Sequence, residues 1–110
     1  KYLGGIIAPG ISLSLNNLIS KASLIPSLKL KKVNKILGKN TVSAVRSGFY
    51  WGYIGLVQNI IDKISKQTNK KYKIILTGGF SHLFIRSIKQ KATVDKDITI
   101  KGLLKVIKIL

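Results

Sequence analysis

A chain of 110 residues suits one domain or a fraction of a larger one, and at this size a core is marginal without partners. Hydrophobic residues make up 45% of it and cysteine is absent, which argues against a disordered tail and excludes both a disulfide framework and a thiolate metal site. The net charge of +17 raises nucleic acid or an anionic membrane as partners.

Tyr2–Ala8 reads as a short apolar strand running into the breaker pair Pro9-Gly10. Ser12–Ala22 follows, with Leu13, Leu15, Leu18, Ile19 and Ala22 at mostly helical spacing. Ser12 or Ser14 is placed to cap it, and Pro26 to end it. Ser27–Leu37 is a Lys-rich connection.

The longest expected element is a helix over Asn40–Ser65. Val42, Val45, Phe49, Tyr53, Leu56, Ile60 and Ile64 recur at steps of three and four and make one apolar face. Asn40 or Thr41 stands where an N-cap belongs. Ala44, Gly48, Gly52 and Gly55 form a second stripe, of small residues. A glycine inside a helix costs about 1 kcal/mol relative to alanine. The stripe therefore predicts that something packs close to this backbone, the alternative being a kinked or broken helix.

Gln67–Lys71 reads as a polar turn, Tyr72–Leu76 as a strand, and Phe80–Lys89 as a helix after the Thr77-Gly78-Gly79 turn. Thr93–Asp97 is a turn or short edge strand, and Thr99 is expected to cap a last helix carrying Leu103, Leu104 and Ile107. Strands alternating with helices predict α/β architecture.

The basic residues are spread along the chain, and all but Arg46 and Arg86 are lysine. Readers of nucleic-acid sequence favour arginine for its bidentate contacts. Lysine, isoleucine and asparagine are together what an AT-rich genome encodes, so much of the charge reads as codon drift on exposed faces. A nucleic-acid or anionic-membrane binding module is the competing reading. The uncharged stretches Leu3–Ser20 and Ser47–Ile61 are interrupted by Gly and polar residues, so neither is a good spanning helix of about 20 apolar residues. The sequence opens at Lys1 in what reads as the middle of a motif, and no signal-peptide pattern is present.

Few residues can carry chemistry. Asp62 sits among lysines on a helix surface; Asp95 and Asp97 fit turn and capping use better than an acid–base pair. His82 is the only histidine, so no histidine metal cluster is possible. It reads as a packed or solvated residue, with a place on a site rim as the alternative. Two glycine turns each join a strand to a helix: Gly4-Gly5-Ile6-Ile7-Ala8-Pro9-Gly10 and Leu76-Thr77-Gly78-Gly79. Such turns let backbone approach a phosphate or ribose, although many serve turn geometry alone.

Together these segments resemble a known family. Tyr2-Leu3-Gly4-Gly5-Ile6-Ile7-Ala8-Pro9-Gly10 resembles the GGxIxPG motif of type III pantothenate kinases, and Gly38–Gly48 resembles their GxNTxxAxxxG segment. Gly52-Tyr53-Ile54-Gly55 follows their Gly-Tyr-x-Gly pattern, and Leu76-Thr77-Gly78-Gly79 their ATGG-like turn with Leu for Ala. Val94–Leu103 resembles their VDPxLTLKGL ending with Lys96 in place of the proline. The family belongs to the acetate and sugar kinase/Hsp70/actin superfamily.

The resemblance implies a partial C-terminal ribonuclease H-like (actin-like ATPase) domain over residues 1–110, of α/β class and incomplete. It implies transfer of the ATP γ-phosphate to pantothenate, giving 4′-phosphopantothenate in the first step of coenzyme A biosynthesis. It also implies Mg²⁺, a monovalent cation (K⁺ or NH₄⁺), a homodimer and a cytoplasmic location, with no specific nucleic acid and no membrane as partners. Thr41 would contact pantothenate, and Thr77, Gly78 and Gly79 occupy the position of the superfamily's adenosine turn. The family's DxGNT, GxDR and DxGT segments, which hold phosphate, the catalytic Asp and the monovalent cation, do not occur in these residues. The chain is therefore expected to hold no catalytic and no metal-binding residue of its own and to be inactive alone, as a truncated product or fragment.

Overall fold

The computed structural model describes residues 1–21 and 28–109. The chain divides into two compact units, Lys1–Tyr53 and Ile54–Leu110.

In the first unit, α1 spans Ile11–Lys21 and buries Leu15. Its first hydrogen bond runs from the Ser14 N–H to the Gly10 carbonyl. The cap position is therefore Gly10, and Ser12 and Ser14, the expected caps, lie inside the helix. The Ser14 hydroxyl instead lies 3.3 Å from the Tyr53 hydroxyl, which donates to the Pro9 carbonyl at 2.9 Å. The expected helix end at Pro26 falls outside the described residues.

Residues 1–10 form no strand and are exposed throughout. The apolar pattern of Tyr2–Ala8 is strand-like, but a strand needs a neighbour for its N–H and C=O groups. The two strands among the described residues pair with each other. Ile7 is left fully exposed.

The long helix α2 spans Thr41–Thr68, which extends the expected element by three residues at its C-terminus. The Thr68 hydroxyl donates to the Ile64 carbonyl at 2.8 Å, and Asn69 takes the left-handed conformation (φ 53°) common after a helix end. Its residues up to Tyr53 belong to the first unit. There Tyr50 is 1% exposed, and Leu15 and Leu30 are the other buried apolar residues. The expected face is half-buried from Val42 to Ile60, with Ile64 exposed. Tyr50 lies off that face, so the deepest residue of the unit was not marked by the periodicity. The Ser47 hydroxyl donates to the Ile36 carbonyl, and the Arg46 Nε to the Lys29 carbonyl at 2.9 Å. These two bonds tie the irregular 28–40 segment to the helix.

The stripe Ala44, Gly48, Gly52 and Gly55 is exposed on an unbroken helix. A Cβ added at Gly48, Gly52 or Gly55 would meet nothing within 4 Å. The close contact expected inside the subunit is therefore absent among the described residues.

In the second unit, β1 (Ile74–Leu76) and β2 (Ala92–Val94) pair in parallel, with Ile75 opposite Thr93. The Asp95 N–H extends the ladder to the Leu76 carbonyl at 2.9 Å. Between the strands lies α3, Ser81–Phe84, much shorter than the expected Phe80–Lys89. The chain leaves the helix after Phe84, where the Ser87 N–H turns back to the Phe84 carbonyl at 2.9 Å, and tertiary partners hold it further on. The Gln58 side-chain oxygen accepts the Lys89 N–H at 2.8 Å, and the Gln58 amide donates to Gln90 at 2.8 Å and to Asp62 at 3.0 Å. Phe84 and Ile88 are buried on either side of this turn.

The last helix, α4, spans Ile98–Ile109. Its first hydrogen bond goes from the Lys101 N–H to the Asp97 carbonyl, so Thr99 lies within the first turn and is not the cap. The Asp95 carboxylate accepts from the Asp97 N–H and the Lys101 ammonium, each at 3.0 Å. The Lys101 bond and then the Asp97 N–H hold its pKa below the ordinary value. Asp95 thus does turn work, as expected. No residue of α4 is buried, and Ile100, Leu103, Leu104 and Ile107 form an exposed apolar stripe at i, i+3, i+4 and i+7.

The described architecture is thus α/β with a small parallel sheet. No helix among the described residues is long and apolar enough to cross a membrane.

Candidate functional site

Two places carry the residues singled out by sequence, one in each unit. The first is the start of α2. Here Asn40 is the N-cap: its Oδ1 accepts the Ser43 N–H at 2.9 Å, and its carbonyl accepts the Ala44 N–H at 2.9 Å. The Ser43 hydroxyl reciprocates. It accepts the N–H groups of Lys39 at 3.0 Å and Asn40 at 3.1 Å, and donates to the Asn40 carbonyl at 3.1 Å. This is a capping box with serine in the third helical position.

Gly38 closes the same turn from outside. A Cβ there would lie 2.3 Å from the Ala44 nitrogen and 2.6 Å from the Ser43 carbonyl carbon. Both are backbone atoms and cannot swing away. Only glycine fits between the entering chain and the helix.

Thr41 is the first helical residue and is exposed. Sequence left Asn40 and Thr41 as rival caps, and the geometry selects Asn40. The Thr41 hydroxyl makes no hydrogen bond among the described residues. It is free to meet a ligand.

The second place is the turn after β1. Gly78 has φ 102°, in the left-handed region where a side chain is strained. Its carbonyl accepts from the Ser81 hydroxyl at 2.8 Å and the Ser81 N–H at 3.3 Å. A Cβ at Gly78 or Gly79 would meet nothing within 4 Å. The turn is held from below by the buried Ser81 and open above Gly78 and Gly79. His82, exposed in α3, is solvated as its sequence context suggested.

No group of three or more His, Cys, Asp or Glu side chains among the described residues can hold a metal ion. The chemistry available is neutral: hydroxyl and backbone N–H donors at the start of α2, and open backbone at the glycine turn. Such groups bind and orient; they do not abstract protons. Within the Gly38–Gly48 segment, Gly38 and Ser43 carried no expected role of their own. The Asn-x-x-Ser spacing before an apolar run was the available signal. The Gln58–Asp62 pair was legible as an i, i+4 contact, but nothing in the sequence marked Gln90 as its third member.

Comparison with known proteins first fixes the class. Residues 1–63, which contain both the Gly4–Gly10 segment and the start of α2, match the family model for "Type III pantothenate kinase", placing the chain among kinases. The chain is 60% identical over 104 residues to the type III pantothenate kinase of Pelagibacter ubique, covering 94% of this chain and 42% of that protein. It is 41% identical over 102 residues to that of Paracoccus denitrificans and 41% over 103 residues to that of Koribacter versatilis. These alignments cover 93% and 94% of this chain, and 39% and 38% of those proteins. The chain belongs to the type III pantothenate kinase family, and it spans about two fifths of the length of the curated relatives it matches.

Proposed function

We propose that the chain is the C-terminal part of an ATP-dependent kinase that phosphorylates pantothenate to 4′-phosphopantothenate, the first step of coenzyme A biosynthesis. The observation that carries this is the family match over residues 1–63, supported by identity to pantothenate kinases over almost the whole chain. In this reading residues 1–110 are a partial ribonuclease H-like domain. A parallel sheet of two strands among the described residues supports it, because parallel sheets are normally covered on both faces and larger. So do the exposed apolar residues of Tyr2–Ile7 and the bare stripe of α4.

Thr41 is the pantothenate contact in this reading. Its exposed, unengaged hydroxyl suits a hydrogen bond to a neutral polar substrate. Thr77, Gly78 and Gly79 form the adenosine turn, where the open backbone over Gly78 and Gly79 allows close approach. The described residues bring together no group of three or more His, Cys, Asp or Glu side chains that could hold Mg²⁺. Mg²⁺ and the monovalent cation, with the phosphate-binding and catalytic carboxylates, are assigned to the remainder of the family-length protein. That protein is a cytoplasmic homodimer in this reading, and the chain alone transfers no phosphate.

Thr41→Val in the family-length enzyme is expected to raise the KM for pantothenate a few-fold to about tenfold, from a hydrogen bond worth roughly 0.5–1.5 kcal/mol. The KM for ATP should stay unchanged. Because Asn40 supplies the cap, stability should change little. Steady-state kinetics with each substrate varied in turn check this. A shift confined to the ATP KM would make Thr41 a nucleotide residue.

A further inference from the structure

The start of α2 is held more firmly than a helix end requires. One side-chain acceptor is enough to cap a helix. Here Asn40 and Ser43 exchange three hydrogen bonds, the Lys39 N–H adds a fourth, and Gly38 is wedged against the backbone of Ser43 and Ala44. First turns ordinarily fray. This one cannot open without breaking the whole clasp.

The Ser43 hydroxyl has no capacity left over. A serine hydroxyl offers one donor and two acceptor positions, and all three are spent on Lys39 and Asn40. Ser43 therefore cannot bind a ligand through its hydroxyl. What the clasp leaves unengaged among the described residues is the Thr41 hydroxyl, with the Thr41 and Val42 N–H groups beside it.

We propose that Ser43 is a positioning residue for pantothenate binding, acting through Thr41 by locking the first turn of α2 with Asn40 and Gly38. This rests on the reading of Thr41 as the substrate contact. A hydroxyl on a frayed turn must be ordered at the moment of binding, and that cost weakens the complex; on a locked turn the ordering is already done. Ser43 thus sets how much of the Thr41 hydrogen bond appears as affinity, without touching the substrate.

The test uses the family-length enzyme with Ser43→Ala, Ser43→Thr, Thr41→Val and the Ser43→Ala/Thr41→Val double variant. Ser43→Ala is expected to raise the pantothenate KM about threefold to tenfold, bounded by the Thr41 hydrogen bond itself, with the ATP KM unchanged and kcat changed less. Ser43→Thr keeps the hydroxyl and should restore wild-type KM. The double variant should match Thr41→Val alone, because residues acting through one contact are not additive. If Ser43→Ala lowers the melting temperature but leaves the pantothenate KM at wild type while Thr41→Val raises it, the proposal is overturned and the Thr41 reading stands. Additive effects in the double variant overturn it equally. If Thr41→Val itself leaves the pantothenate KM unchanged, the underlying reading fails and takes the proposal with it. Should Ser43→Ala not fold, Asn40→Ala removes the acceptor for the Ser43 N–H alone and carries the same expectations and the same overturning results.

Discussion

Gly38→Ala is expected to destabilise the chain by about 3 kcal/mol, the upper end of what overpacking costs. The added carbon would sit 2.3 Å from the Ala44 nitrogen and 2.5 Å from its Cα. Overpacking against a flexible side-chain tip is relieved by a rotamer change, but these atoms belong to the first turn of α2 and move only with it. Gly38 is not in the left-handed region, so alanine is conformationally acceptable there and the loss is one of space alone. Gly48→Ala is the matched control. Gly48 lies in the interior of α2 with nothing within 4 Å of an added Cβ, so alanine should stabilise by up to about 1 kcal/mol through helix propensity. Urea unfolding of the two variants should therefore move in opposite directions. Equal midpoints would mean that the chain from Gly38 to Asn40 does not lie against the helix as described.

Gly52→Leu separates what happens within one chain from what happens between two. In the single chain the site is open, so leucine should gain most of the roughly 1 kcal/mol that glycine costs a helix. In the family-length protein the proposed homodimer gives the small-residue stripe a use. There a branched side chain would stand where a second backbone approaches, at a cost of about 1–3 kcal/mol. The expected result is a folded protein that no longer associates, read by thermal melting together with sedimentation. Lys63→Leu, exposed on the same helix, should alter neither. A Gly52→Leu variant that melts and associates like wild type would leave the stripe without a packing role. Lost stability in a protein that remains dimeric would place the contact within the subunit.

The sequence made α2 legible because its apolar residues recur at steps of three and four over about six turns, and its start carried a recognisable cap. The same reasoning failed on Tyr2–Ala8, where an apolar run describes what a segment is able to bury, not whether a neighbouring strand is present to pair with it. It failed again on Phe80–Lys89. That segment reads as a helix, but beyond Phe84 the chain is held at Lys89 by Gln58, about thirty residues away in sequence and invisible to any local window. Tyr50 was missed for a related reason, because burial at 1% exposure depends on what surrounds the helix and not on its periodicity. At the candidate site, Thr41 and the glycine turn were visible through family resemblance. The role of Ser43 was not, since a serine three residues after an asparagine acquires meaning only once the geometry shows every position of its hydroxyl engaged.

The most direct measurement is ATP-dependent formation of phosphopantothenate, run in parallel on the family-length enzyme that carries this chain and on the 110-residue chain alone. Phosphoryl transfer depends on positioning and charge stabilisation, and the described residues offer hydroxyls and backbone donors without a cluster of carboxylates to hold a metal. The predicted result is phosphopantothenate from the family-length enzyme and none from the isolated chain above a heat-killed control. Product from the isolated chain would contradict the division of labour proposed here, and a family-length enzyme that leaves pantothenate unphosphorylated would contradict the function itself.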